Sequence, residues 1–165
     1  MAMPRQHRQH GFSLVELLVA TAILGIIAAI AVPNVKEWSR AYHLKSALTT
    51  LYSHLQVARL GAVKDSQPWT INFNPGDLSG YEVRNGTGRV IKRVDFRAQY
   101  SGNVQFSSPS TTYETAAILT FNANGTSSAG FGYLSDKDHS GYHRVGMPLP
   151  NGTVRIQKWI GSSWE

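Results

Sequence analysis

Gly11-Phe12-Ser13-Leu14-Val15-Glu16 opens the stretch that decides how this chain is built, and an apolar run follows it to Val32. From Phe12 to Val32 only Ser13, Glu16, Thr21 and Gly25 interrupt aliphatic and aromatic residues. At 1.5 Å per residue such a helix is about 30 Å long, the thickness of a bilayer core. One carboxylate, Glu16, stands near its start. A charge at the centre of a membrane helix costs roughly 2.5–3.5 kcal/mol on insertion scales, and less near the end. The simplest reading is an interfacial Glu in a plain anchor. The sharper one is a charge that awaits a cation, such as a free α-amino group on a neighbouring helix.

Arg5 and Arg8 precede the run. The positive flank predicts a cytoplasmic N-terminus and a C-terminal part outside the membrane. A secretory signal peptide would end in a small-residue cleavage site, and Ala28, Ala29 and Ala31 imitate one. The helical pattern, however, continues past Pro33, so the apolar segment belongs to the working protein.

The chain has 165 residues, a net charge of +6 and no cysteine. That length holds one ordinary domain beyond the apolar run. Without cysteine there is no disulfide framework, thiolate metal site or thiol nucleophile. The mild positive charge suits solubility as well as contact with an anionic partner.

Beyond Pro33 the pattern predicts an amphipathic helix to about Lys64. Leu44, Leu48, Leu51, Leu55, Ala58 and Ala62 recur in steps of four and three, which is one buried face. Asp65-Ser66-Gln67-Pro68 then supplies turn chemistry and a proline stop. A helix from Phe12 to Lys64 is about 80 Å long, and its first half needs a membrane or a bundle of like helices.

From Trp69 onward short strand-like runs alternate with turns. The candidates are Trp69–Phe73, Tyr81–Arg84, Arg89–Phe96, Val104–Ser107, Ala117–Phe121, Gly130–Leu134, Tyr142–Met147 and Thr153–Ile160. Alternation in the last predicts a half-buried strand. Asn-Gly-Thr at Asn85, Asn124 and Asn151 is formally a glycosylation acceptor. It is also the sequence of a type I′ hairpin turn, the reading preferred here. One helix followed by antiparallel strands is an α+β plan with the helix laid on a sheet.

The segment Gly11-Phe12-Ser13-Leu14-Val15-Glu16-Leu17-Leu18-Val19-Ala20 resembles the prepilin signature of type IV pilins and type II secretion pseudopilins. The resemblance implies cleavage by a prepilin peptidase between Gly11 and Phe12, N-methylation of Phe12, and a filament-assembly and register role for Glu16. It implies a helix kink at Pro33. Thr21, Gly25 and Ala29 add a small-residue strip that lets helices approach closely.

The remainder resembles the GspH/FimT family of minor pseudopilins, through Leu55-Gln56-Val57-Ala58-Arg59-Leu60-Gly61-Ala62-Val63-Lys64, Phe121-Asn122-Ala123-Asn124-Gly125-Thr126 and the strand Gly152–Ile156. That family implies a long N-terminal helix on two antiparallel sheets. The expected organisation is a cleaved leader at 1–11, a transmembrane and assembly helix at 12–32, an amphipathic helix at 33–65 and a β domain at 66–165. The expected setting is the bacterial inner membrane, crossed once. The expected partners are other pilins or pseudopilins, the prepilin peptidase and an inner-membrane assembly platform.

Within the family the expected task is that of a structural subunit of the type II secretion pseudopilus, which supports protein export across the outer membrane; the alternative is a FimT-like minor pilin of a type IV pilus, one that contacts DNA. Some members of the second kind take up DNA through Gly-Arg-x-Arg near the C-terminus. Here Gly152-Thr153-Val154-Arg155 keeps one of the two arginines. Arg155, Arg89, Lys92 and Arg93 are the candidate phosphate contacts. Asp136, Asp138, His139 and His143 have ligand chemistry, but no acidic residue closes a calcium-loop pattern. They read as a solvated loop, so no metal or cofactor is expected. No nucleophile elbow, phosphate loop or acid/base pair stands out, so no enzymatic activity is expected.

Overall fold

A computed structural model describes residues 12–76, 79–110, 112 and 115–165, with the backbone alone for 31–36. Two compact units divide the chain between Trp38 and Ser39.

The first helix, α1, runs Leu14–Asp65. The Ser13 carbonyl accepts the first intrahelical bond, from the Leu17 amide at 3.1 Å, so α1 starts two residues later than the apolar run. In the first unit every described side chain from Phe12 to Ile30 is exposed. Among the described residues no helix is long and apolar enough to cross a membrane. The backbone is helical through position 33, while the side chain of Pro33 lies outside the description.

In the second unit the expected stripe is the buried one. Leu44, Leu48, Leu51, Leu55, Ala58 and Ala62 are all buried, with Ala47 beside them. The helix ends where turn chemistry begins. Ser66 takes a left-handed φ of 52°. Its amide donates to the Val63 carbonyl, and the Gln67 amide donates to that of Ala62. This is a Schellman closure with serine in the place usually held by glycine.

Among the described residues eight strands follow: β1 Trp69–Phe73, β2 Gly80–Arg84, β3 Val90–Asp95, β4 Val104–Phe106, β5 Ile118–Phe121, β6 Gly130–Asp136, β7 Tyr142–Met147 and β8 Arg155–Lys158. They form two four-stranded sheets, ordered β3-β2-β1-β5 and β4-β6-β7-β8. Every pairing is antiparallel. The α+β plan with a helix on two antiparallel sheets is therefore the observed fold.

One core joins α1 to both sheets. Ile71, Phe73, Tyr81, Val83, Leu119 and Phe121 come from the first sheet, and Leu134, Val145 and Met147 from the second. Gly132 keeps β6 close to this core, because a Cβ there would lie 3.0 Å from the Phe73 ring and 3.4 Å from Leu51.

Three expectations change. The run read as strand through Phe96 gives way to a short helix, α2 Phe96–Tyr100. Asp95 caps it, accepting the Arg97 amide at 2.8 Å. Phe96 is fully buried, against Tyr81 and Phe106 at ring separations of 6.1 and 4.9 Å. The last strand is not half-buried: β8 is an outer strand with Ile156 42% exposed, and only Val154 before it is buried.

The three Asn-Gly-Thr segments are turns, but not type I′ turns. That type needs a positive φ at both central residues. Asn85, Asn124 and Asn151 are absent from the left-handed region, and Gly88, Gly125 and Gly152 enter it. In the β2–β3 hairpin Asn85 accepts the Gly88 amide, and its side chain accepts that of Arg89. The asparagines thus act through side-chain turn bonds.

Candidate functional site

Glu16 is the third residue of α1, exposed in its first turn. Ser13 stands at the cap position and Glu16 three residues after it, the Ser-x-x-Glu arrangement of a capping box. A carboxylate there is also favoured by the partial positive charge of the helix start. The sequence reading weighed Glu16 against hydrocarbon and missed this local reason for an acid. Phe12 is exposed just before the helix. Gly11 and the leader arginines lie outside the described residues.

The candidate phosphate contacts do not converge. Arg89 lies in the β2–β3 turn and Lys92 and Arg93 in β3, the outer strand of the first sheet, whereas Arg155 lies in β8, the outer strand of the second. Arg93 is also engaged: its Nε donates to Glu82 Oε1 at 2.6 Å. From the other side Arg84 donates to Oε2 through Nε at 3.1 Å and NH2 at 2.6 Å. Glu82 is fully covered, although it sits on β2 opposite the core-facing Tyr81 and Val83. Burial pushes its carboxyl up, but the hydrogen bonds and charges of Arg93 and Arg84 outweigh that and hold it below the usual value. Phe96 and Tyr100, the aromatic residues nearest the basic cluster in sequence, are both buried.

The acidic loop after β6 organises itself. Asp136 accepts the Ser140 amide at 2.7 Å and the Ser140 hydroxyl. Asp138 pairs with Arg40 of α1. His139 Nδ1 lies 3.3 Å from Ser135 Oγ and 3.4 Å from Ser107 Oγ. The Asp136 carboxylate is committed to Ser140 and not to this imidazole. Among the described residues no group of three or more His, Asp or Glu side chains could hold a metal ion. His143 is held below the ordinary histidine value by burial and by Lys158.

The three stretches that carry the GspH/FimT resemblance meet at Arg59. Its Nε donates to the Gly125 carbonyl at 3.2 Å and its NH2 to the Asn151 carbonyl at 3.4 Å. The Ser127 amide donates to Pro150 O at 2.9 Å. Gly152, at φ 73°, must be glycine, because a Cβ would lie 2.2 Å from the Gly125 carbonyl oxygen. One helix cation thus pins two Asn-Gly turns together. Nothing in the spacing of Arg59 announced this, since its partners are 66 and 92 residues away.

Residues 6–32 match the prokaryotic N-terminal methylation motif. The chain is similar to a fimbrial protein of Pseudomonas aeruginosa, 32% identical over 46% of this chain and 47% of that protein. The chain is type IV pilin-like. This pilin-like chain is also similar to a probable minor fimbrial protein of Dichelobacter nodosus, 29% identical over 73% of this chain and 75% of the other. It spans about half the length of the Pseudomonas fimbrial relative. Its fold matches the crystal structure of the P. aeruginosa type IV minor pilin FimU, with a TM-score of 0.50 and 22% identity over 78% of this chain and 96% of FimU.

Proposed function

We propose that the chain is a minor subunit of a helix-assembled filament, and that its work is non-covalent, with no reaction catalysed. In this reading prepilin peptidase cuts between Gly11 and Phe12 and the new amine of Phe12 is methylated. Residues 12–32 cross the inner membrane from a cytoplasmic N-terminus, with 66–165 outside. After extraction by an assembly platform, the same helix packs among those of neighbouring pilins. Glu16 receives the terminal amine of the next subunit and sets axial register. Pro33 gives the helix a place to kink.

The observation that carries the reading is the uncovered first part of α1, aliphatic on all sides and exposed from Leu14 to Ile30, with one carboxylate in its first turn. So much apolar surface is not stable in water at about 25 cal/mol per Å². Two filaments fit this reading, the type II secretion pseudopilus and the type IV pilus; the type IV pilus is the one put to the test, because the named relatives are fimbrial proteins. DNA contact gains little support, because the candidate cations are split between two sheets.

Gly11→Ala should leave an uncut N-terminus by mass spectrometry. Glu16→Gln is the decisive variant, because Gln keeps the capping box and loses the charge. It should be cut normally yet fail to enter filaments. Normal incorporation would reduce Glu16 to a helix cap. Deletion should diminish piliation and leave protein export intact; the reverse outcome would assign the secretion pseudopilus.

A further inference from the structure

We propose that the outer edge of β3 takes up an extended, acidic strand from a different polypeptide. This is a second contact surface, independent of assembly through α1.

The outer strands of the two sheets are not equally finished. β5 is covered: the Thr120 amide donates to Ser128 Oγ at 2.9 Å, and the Ser128 amide to the Thr120 carbonyl at 2.8 Å. β8 is closed at Lys158, which exchanges backbone bonds with Glu165 at 2.6 and 3.0 Å. β4 is only three residues long. β3 has six residues and pairs with β2 on one side. Among the described residues it makes no backbone hydrogen bond on the other.

The ladder tells which groups are free. The Phe96 amide donates to the Ser79 carbonyl at 2.8 Å, and hydrogen-bonded pairs alternate along an antiparallel ladder. In the observed register Tyr81↔Val94 and Val83↔Lys92 are then the bonded pairs, and Glu82↔Arg93 and Gly80↔Asp95 the open ones. The amides of Arg93 and Asp95 and the Arg93 carbonyl therefore point away from β2, while the Asp95 carbonyl, at the cap of α2, accepts the first bond of that helix. A register shift at Val83/Arg84 ends the regular ladder on the other side, next to Val90 and Ile91, each 37% exposed.

Charge selects the occupant. Arg89, Lys92 and Arg97 have no ion pair among the described residues. The nearby carboxylates are already used: Glu82 by Arg84 and Arg93, and Asp95 by the Arg97 amide. A second copy of this edge would bring like charges opposite one another, which disfavours pairing. A strand bearing carboxylates meets opposite charges, while its backbone satisfies the open groups, as in strand addition. Nucleic acid fits less well. Single strands bind through aromatic stacking, and here the side chains flanking the cations are the aliphatic Val90 and Ile91, with Phe96 and Tyr100 buried.

The test is amide hydrogen exchange on the full-length protein in detergent micelles. The probes are a peptide of alternating valine and glutamate, the same peptide with lysine for glutamate, and oligothymidylate. The acidic peptide should slow exchange at Arg93 and Asp95 by about fivefold or more. Raising salt to about 0.5 M should weaken the effect. The lysine peptide and an N-methylated acidic peptide should not protect. Lys92→Glu should lower the response to the acidic peptide and raise that to the lysine peptide. Equal protection by both charged peptides, protection by the N-methylated form, or no protection at saturating peptide would overturn the proposal. Protection by oligothymidylate alone would overturn it in favour of nucleic acid.

Discussion

Two parts of one helix meet opposite fates. From Leu14 to Ile30, α1 is aliphatic on every side and none of those side chains is covered; from Leu44 to Ala62 a stripe of the same small and branched residues is almost completely sealed by two sheets. Helical geometry is common to both. The difference is pattern. Residues spaced three and four apart leave polar positions such as Lys45, Thr49 and Ser53 for water, so one face suffices for the core. An all-round apolar run has no face to give to water, so its burial must come from outside the chain. The second part therefore owes its stability to intramolecular packing and the first to its surroundings.

The sharpest way to break that contrast is to delete the same side chain in each part. Leu55→Ala, at a fully buried position, should lower folding stability by about 2–5 kcal/mol. Leu24→Ala, at a position 64% exposed, should leave the unfolding midpoint of the β domain within about 0.5 kcal/mol of the parent. Denaturant unfolding followed by tryptophan fluorescence would measure both. Equal losses would mean that the first part also packs within the chain.

Glu82 asks whether a polar cluster can matter as much as the stripe. Glu82→Ala removes the shared acceptor of Arg84 and Arg93 and should cost about 1–3 kcal/mol. Arg59→Ala should cost about 1–2 kcal/mol, as the last turns of α1 lose their hold on Gly125 and Asn151. Amide exchange should then quicken in the 122–127 and 148–153 turns and stay unchanged in the first part of α1.

The smallest expected effect is acid sensitivity of the second unit alone. His54 lies 2.9 Å from the Tyr81 hydroxyl, and burial and the Lys92 charge hold it below its ordinary value. A base so lowered binds fewer protons folded than unfolded. Its stabilisation is complete above the unfolded value of 6.5 and is lost as pH falls toward the folded one. His143 acts in the same window. Glu82, also lowered, gives a second step: its contribution is complete above 4.5 and is lost as pH falls further. Thermal melts should show a decline beginning below pH 6.5, and His54→Gln should flatten part of it.

Local chemistry was legible wherever its partner is near in sequence. The stripe of α1, the stop after Asp65 and the two strands Trp69–Phe73 and Tyr142–Met147 could be read because period and breakers act over a few residues. α2 had its own signals, Asp95 as cap and Ser101-Gly102 as exit, but Val90–Asp95 before it reads as strand and masked them. Ser13 and Glu16 likewise have the spacing of a capping box, which the apolar context hid. β8 alternates in sequence, yet an outer strand need not bury either face, so alternation alone misjudged it.

By itself the sequence determined α1 and its buried stripe, the run of short strands apart from α2, where the chain turns, and that the apolar run begins at a processing-type motif. Those outcomes rest on side-chain period, backbone preference and hydration, which each residue carries with it. Only the tertiary structure decided the order β3-β2-β1-β5 and β4-β6-β7-β8, the burial of Glu82 between two arginines, the gathering of two distant turns by Arg59 and the open edge of β3. Each depends on which strands become neighbours, and that choice belongs to the whole packed core.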